Sequence, residues 1–295
     1  MRKKQISKGI RTFNIFNFLG LSLLSIICIM PIINVLAVSF SSKFATETNA
    51  VKLWPVGFTT EAYNMVLHNQ PFINSFGISI ARVIVGVSIG ILVTVLASYP
   101  LSLEKEQFKA RNFFMWVFII PMLFSGGLIP LFMQVKKVGL IDNFWSLILP
   151  ITVQIYFVIV MMSFFKSIPS SIYEAAKIDG AGHWTILWKI YISLSLPSIA
   201  TVVLFIAILH WNDFFYGAIY MNDMKKWPVQ TFLYYQQVSI NFNALTPEDV
   251  IRMSKLSNRS FKAAQTFLAT IPILLMYLFL QKYFVTGLTI GSVKE

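Results

Sequence analysis

The chain is poor in charge and in cysteine. Only 12% of its 295 residues are charged, about half the share usual in soluble domains, whereas 56% are hydrophobic and the mean hydropathy is +0.69. The single cysteine, Cys28, excludes a disulfide within the chain and a thiolate metal cluster. Composition therefore predicts an integral membrane protein rather than a soluble domain.

The chain also lacks the motifs of common catalytic and nucleotide-binding sites. It contains no GxxxxGK[ST] phosphate loop, no HExxH and no GxSxG, and its three histidines lie far apart in sequence. Ionisable residues are few within the apolar segments, Arg82 and Asp213 being the main ones, whereas a proton-coupled carrier normally shows several. We therefore expect neither an enzyme nor a chain that binds ATP, a metal or another cofactor by itself.

Long apolar runs predict six membrane spans, because about 20 such residues cross a bilayer as a helix. The runs lie at about 17–40, 73–101, 113–134, 144–165, 198–220 and 264–286. Five basic residues precede the first run: Arg2, Lys3, Lys4, Lys8 and Arg11. They predict a cytoplasmic N-terminus, and the first run is too long for the core of a cleaved signal peptide.

These spans predict one transmembrane domain at 17–286 with both ends of the chain in the cytoplasm. The cytoplasmic parts are then the tails 1–16 and 287–295 and the loop 166–197, and the extracellular loops are 41–72, 135–143 and 221–262. Within the last of these, Thr246-Pro-Glu-Asp is typical of a helix start. We attribute the net charge of +12 to membrane orientation rather than to nucleic-acid binding.

One polar segment stands out, Ser171 to Pro197, reading SIYEAAKIDGAGHWTILWKIYISLSLP. Ser171 and Glu174 have the spacing of a capping box, and Gly180 suits a left-handed helix C-cap. A second short helix is predicted from about His183 to Ile192. The segment is either an ordinary cytoplasmic loop or a helix-turn-helix that presents an apolar edge to a partner.

The pattern Glu174-Ala-Ala, three residues, Gly180 resembles the EAA loop of permease subunits in binding-protein-dependent ABC importers. Asp179-Gly180-Ala181 and Pro197 resemble the carbohydrate-uptake branch, although Ser193 stands where members commonly carry proline. Further similarity extends over most of the chain. It includes Ser125-Gly-Gly-Leu-Ile-Pro130, Lys136-Lys137-Val-Gly-Leu140, His210-Trp-Asn-Asp213 and the ending QKYFVTGLTIGSVK at 281–294. Together these are similar to permeases for complex oligosaccharides.

The resemblance implies an all-α, type I ABC importer permease fold with six transmembrane helices in a bacterial plasma membrane. It also implies a heterodimer with a second permease, two ATPase subunits that hold ATP and Mg inside, and a solute-binding protein outside. The residues expected to couple the chain to the ATPase are Glu174, Ala175, Ala176, Asp179, Gly180 and Ala181. The alternative is a self-contained channel or secondary sugar carrier, which has no use for a docking loop.

Candidate substrate contacts lie at His210, Trp211, Asn212 and Asp213 in the fifth span. Aromatic faces stack on sugar rings, and amide or carboxylate groups bind hydroxyls. Alternatively, Trp211 is an interfacial residue and the polar pair stabilises a helix kink. Arg82 either meets an acidic glycan in a cavity, or snorkels outward or pairs with an acid of the other permease. Tyr156 in the fourth span is a further pathway candidate.

Overall fold

A computed structural model describes residues 8–124, 126–238 and 258–290, and every regular element in these ranges is helical. In chain order the α-helices are α1 (Lys8–Ser39), α2 (Lys43–Glu47), α3 (Glu61–His68), α4 (Gln70–Ser102), α5 (Arg111–Leu123), α6 (Leu128–Lys137), α7 (Ile155–Lys166), α8 (Ser170–Ile178), α9 (His183–Thr185), α10 (Ile192–Leu194), α11 (Leu196–Asn212), α12 (Phe215–Tyr220), α13 (Val229–Val238) and α14 (Asn258–Ile290). Short 3₁₀ turns occupy Phe144–Leu147, Leu149–Ile151 and Met224–Lys226, and a π-helical turn occupies Ile186–Tyr191.

The described residues contain up to six membrane spans. Three helices are long and apolar enough alone: α1 over Thr12–Ser39, α4, and α14 over Asn258–Phe279. Three bent pairs pass the same test together: Arg111–Leu123 with Leu128–Lys137, Phe144–Ile151 with Ile155–Lys166, and His183–Leu194 with Leu196–Asn212. Counting each pair as one span gives the predicted number. The all-α, six-span fold class is confirmed.

The fifth span differs from the prediction of one run over 198–220. The helix α11 ends at Asn212, and after a break the chain resumes as α12 at Phe215. At its other end, α11 is bent by 84° from the helical segment His183–Leu194. Pro197 lies in the first turn of α11, where its missing N–H suits a new helix start and ends the preceding one.

At its C-terminal end α14 continues to Ile290, so the first residues of the tail predicted at 287–295 are helical. Residues 291–295 and the helix start predicted at Thr246 lie outside the described residues.

The chain divides into two compact units, one formed by residues 1–70 with 240–270 and the other by 71–239 with 271–295. In the first unit a small core of Ala37, Val38, Ala45 and Val51 joins α1 to the loop that follows it. Ser260 of α14 donates a hydrogen bond to the carbonyl oxygen of Ser41 at 3.3 Å. The apolar side chains of α1 before this core are exposed, as suits a helix in lipid.

In the second unit, α4 buries one face of small and polar side chains that recur every three or four residues. Its members are Ser75, Ser79, Arg82, Gly86, Gly90, Thr94, Ser98 and Ser102. Small residues let helix backbones approach closely in a membrane. A Cβ at Gly86 would come within 2.4 Å of His210 Nε2, and one at Gly90 within 3.2 Å of Ile206. The missing side chains therefore let α11 pack against α4.

We expect Gly86→Leu to destabilise the protein by about 1–3 kcal/mol, the usual cost of overpacking, because the new side chain would occupy the position of the His210 ring. The melting temperature in detergent measures this. Gly77→Leu is the matched control on the same helix, since a Cβ there meets nothing within 4 Å. Equal melting temperatures for the two variants would contradict the close packing.

Candidate functional site

The polar segment predicted to couple the chain to a partner begins with α8. The capping box predicted at Ser171 and Glu174 is wrong: Pro169 takes the N-cap position, with φ −56° and ψ 134°, and no side chain caps this end. Since the helix starts at Ser170, Ser171 already lies inside the first turn. Its hydroxyl is then past the position from which an N-cap side chain reaches the free amides.

The C-terminal end of α8 agrees with the prediction. Gly180 has φ +77°, the left-handed conformation that glycine adopts at low cost. Its N–H donates to the carbonyl oxygen of Lys177 at 3.0 Å, and the N–H of Ala181 donates to that of Ala176 at 2.9 Å. This pair of bonds closes the helix and reverses the chain toward the second helical segment.

The second helical segment of the predicted helix-turn-helix runs from His183 to Leu194, close to the predicted His183–Ile192. Its middle turn, Ile186–Tyr191, is π-helical, which the sequence did not predict. Such turns occur frequently at functional sites. Ile186, Leu187 and Tyr191 are buried. We call Ser170–Leu194 the coupling island.

The coupling island packs firmly against the end of α4. Tyr99 Oη lies 3.1 Å from His183 Nδ1, within hydrogen-bond distance. The Tyr99 ring also meets Tyr191 edge to face, with centroids 5.1 Å apart, and Phe165 of α7 meets Tyr191 at 5.5 Å. Island and spans thus share one core.

The exposed side of the coupling island is apolar at its apex. Ile178 is 86% exposed and Trp184 is 66% exposed. Trp184 belongs to the apolar edge predicted for the second helix, whereas Ile178 was missed because the sequence of a short helix does not show which of its apolar residues face outward. Of the predicted docking residues, Glu174, Ala175, Asp179 and Gly180 are exposed, whereas Ala176 is buried and Ala181 packs against the core.

A second cluster lies within the spans, where Arg82 is completely buried. Its Nη2 is 2.5 Å from Asp213 Oδ2, its Nη1 donates to the Asp213 carbonyl oxygen at 2.9 Å, and its Nε donates to the Leu147 carbonyl oxygen at 3.0 Å. The other carboxylate oxygen of Asp213 accepts the Tyr216 N–H at 3.4 Å. Arg82 therefore pairs with an acid of its own chain, which neither sequence alternative considered.

The remaining pathway candidates are not all accessible. His210 and Trp211 are 1% and 2% exposed, and Trp211 packs edge to face on Phe76 at 5.5 Å. Neither ring nitrogen of His210 has a hydrogen-bond partner among the described residues. By contrast, Asn212 is exposed, and Tyr156 is 61% exposed on α7. Only the last two can meet a solute without rearrangement.

A third polar contact joins the predicted extracellular loops. Lys226 donates to the Asp142 carboxylate and, at 2.9 Å, to the Asp142 carbonyl oxygen. The same carboxylate accepts the N–H groups of Asn222 and Asp223. The hydrogen bond from Lys226 holds the pKa of Asp142 below its ordinary value. This exposed pair fixes the two loops to each other.

The chain is similar to known transport proteins. Residues 86–290 match the family described as binding-protein-dependent transport system inner membrane component. Two relatives come from Bacillus subtilis (strain 168). Protein LplC is 38% identical over 98% of this chain and 97% of its own length. The polygalacturonan/rhamnogalacturonan transport system permease protein YtcP is 36% identical over 96% and 99%.

A solved structure is also similar over nearly the whole chain. It belongs to a bacterial ABC transporter involved in the import of the acidic polysaccharide alginate. The TM-score is 0.85 at 30% identity, and the match covers 96% of this chain and 100% of that one.

Because Arg82 and Asp213 form an ion pair, we expect substitutions at the two positions to have non-additive effects on stability. Arg82→Met leaves a buried carboxylate unpaired and should cost about 3–5 kcal/mol of stability. Arg82→Met with Asp213→Asn removes both charges and should melt at a higher temperature than Arg82→Met alone. Lys226→Met is the control, because it breaks an ion pair that water solvates and should leave the melting temperature nearly unchanged. Additive losses for the double variant, measured by melting in detergent, would contradict the pairing.

Proposed function

Because the chain belongs to the family of binding-protein-dependent transport system inner membrane components, we propose that it is the membrane-spanning permease subunit of an ABC importer for an oligosaccharide. Proteins of this family are transport permeases and multi-pass membrane proteins, not enzymes. The coupling island supports this proposal most directly. It has an exposed apolar apex, and its buried residues pack in the same hydrophobic core as residues of the spans.

The partner of this apex is an ATPase subunit in the cytoplasm. The chain has no phosphate loop of its own, so ATP and Mg are held on that separate subunit. Ile178 and Trp184 supply the apolar contact, and Glu174 is placed to pair with an arginine of the ATPase. Closure of the ATPase pair would move the coupling island and, through the core at Tyr99 and Tyr191, swing the spans as a rigid body.

The other proposed partners follow from the same architecture. A second permease completes the pathway as a heterodimer, and a solute-binding protein delivers the sugar outside. Both ends of this chain lie in the cytoplasm of a bacterial cell. The loops fixed by Asp142 and Lys226 then belong to the outer side.

The substrate is an oligosaccharide, and the relatives suggest acidic members of this class. The names of YtcP and the solved transporter mention polygalacturonan, rhamnogalacturonan and alginate. Arg82 is a poor candidate to recognise a uronate, because Asp213 already occupies its completely buried guanidinium. Asn212 and Tyr156 remain the accessible candidates from the sequence for the pathway of this chain, whereas Asp213 is paired with Arg82.

To test docking, the detergent-solubilised chain is purified from its native membrane, and the proteins that remain bound to it are identified. We expect a second permease and an ATPase with the wild type, and loss of the ATPase with Gly180→Asp or Ile178→Asp. A Cβ at Gly180 meets nothing within 4 Å, but the φ of +77° strains any other residue there, so Ile178→Asp is the variant that tests docking without disturbing the turn. A new charge at Ile178 would have to be desolvated at the interface.

Phe44→Asp is the matched control for this experiment. Phe44 is 79% exposed and lies on α2, outside the coupling island, so its variant should keep the ATPase. A wild-type chain that comes down alone as a stable oligomer would contradict the importer and favour a channel or secondary carrier.

A further inference from the structure

A polar group lies exposed at the break after α11, within the apolar run predicted over 198–220. Arg82 of α4 holds this break by donating a hydrogen bond to the Asp213 carbonyl oxygen. At the usual rise per residue, Arg82 lies about 18 Å along α4 from its first residue, Gln70. Asn212 is exposed there, and the Asp213 side chain is 15% exposed. Hydrocarbon cannot satisfy an amide or carboxylate, so this side of the break suits a water-filled pathway better than lipid.

Three exposed aromatic side chains surround the same break. Phe214, Phe215 and Tyr234 are 39%, 40% and 42% exposed, and we call them the aromatic shelf. The rings of Phe214 and Tyr234 are stacked, with centroids 4.7 Å apart and planes 26° apart. Phe215 stands nearly perpendicular to Phe214 at 6.4 Å. The shelf thus presents apolar ring surface beside hydrogen-bonding groups.

The aromatic shelf is held in place by buried contacts. Thr231 of α13 donates a hydrogen bond to the Phe214 carbonyl oxygen at 2.8 Å, and the Val229 N–H donates to Ser79 Oγ of α4 at 2.8 Å. Gly217 allows this approach, because a Cβ there would come within 2.0 Å of Thr231 Oγ1. Pre-positioned rings lose little conformational entropy when a ligand binds.

Rings beside amide and carboxylate groups suit a carbohydrate. The C–H face of a sugar ring packs on an aromatic face, and its hydroxyls bond to groups such as the Asn212 amide. Trp211, the stacking residue expected from the sequence, cannot serve in this way because it is 2% exposed. Resting on the proposed import function, we propose that the aromatic shelf stacks on a sugar ring of the transported oligosaccharide while the Asn212 amide binds its hydroxyls.

The test separates ring stacking from packing by paired variants at each position. Phe214→Leu and Tyr234→Leu keep an apolar side chain but remove the ring, whereas Phe214→Trp and Tyr234→Phe keep a ring. Source cells that produce each variant in place of the wild type are given radiolabelled tetragalacturonate, alginate pentasaccharide, arabinotriose or raffinose. The same cells supply membranes for purification of the complex, in which sugar transported per ATP hydrolysed is measured in proteoliposomes.

We expect the leucine variants to lower sugar transported per ATP by about tenfold, while the ring-preserving variants stay within about twofold of the wild type. All four should retain the ATPase on purification, which a folding defect would not allow. Phe113→Leu is the control, because Phe113 is 67% exposed on α5, away from the break.

Two results would overturn the aromatic shelf while leaving the importer intact. One is wild-type transport by the leucine variants, as expected if these rings only form an interfacial belt. The other is an equal loss in leucine and ring-preserving variants, which indicates packing rather than stacking. If the wild type takes up none of the four sugars although the ATPase accompanies it, both the proposed substrate class and the shelf fail.

Discussion

The buried pairing of Arg82 with Asp213 is the interaction on which the membrane-embedded part of the second unit depends. A guanidinium in an apolar environment is costly unless it donates to nearby acceptors. Each of the three nitrogens of Arg82 does so: two bond to the carboxylate and carbonyl oxygens of Asp213 at the break after α11, and the third bonds to the Leu147 carbonyl oxygen before α7. One side chain thus satisfies backbone groups at two interruptions of helices, and one of these breaks exposes Asn212 and Phe214.

The same helix connects this pair to the coupling island. Arg82 and Tyr99 lie on α4, separated by about 26 Å at the usual rise per residue. Tyr99 contacts His183 and Tyr191 of the island, so a displacement of the island is transmitted to α4 through packed rings. A packed core moves as a body rather than deforming continuously. This gives a physical route from an ATPase at the island to the break where Asn212 is exposed.

Much of the fold and of the coupling island could be predicted from the sequence, because long apolar runs indicate membrane spans and a glycine after a helix indicates a left-handed turn. The six spans and the turn at Gly180 followed in this way. The partner of Arg82 did not, because Asp213 lies 131 residues away and no local pattern joins them. Nor did the burial of Trp211, since an apolar span does not reveal which side faces its neighbours. Pro169 takes the N-cap position in place of Ser171, so the helix starts two residues earlier than the capping box predicts.

The apex of the coupling island is proposed to touch an ATPase subunit. The most direct measurement places a photo-crosslinking amino acid at Ile178 in the source cells and identifies the product by mass spectrometry, with Phe44 as the comparison site. If the apex touches an ATPase, Ile178 crosslinks to a protein that carries a GxxxxGK[ST] phosphate loop, and Phe44 does not crosslink to that protein. Crosslinks from Ile178 to lipid alone, or to another copy of this chain, would contradict this contact.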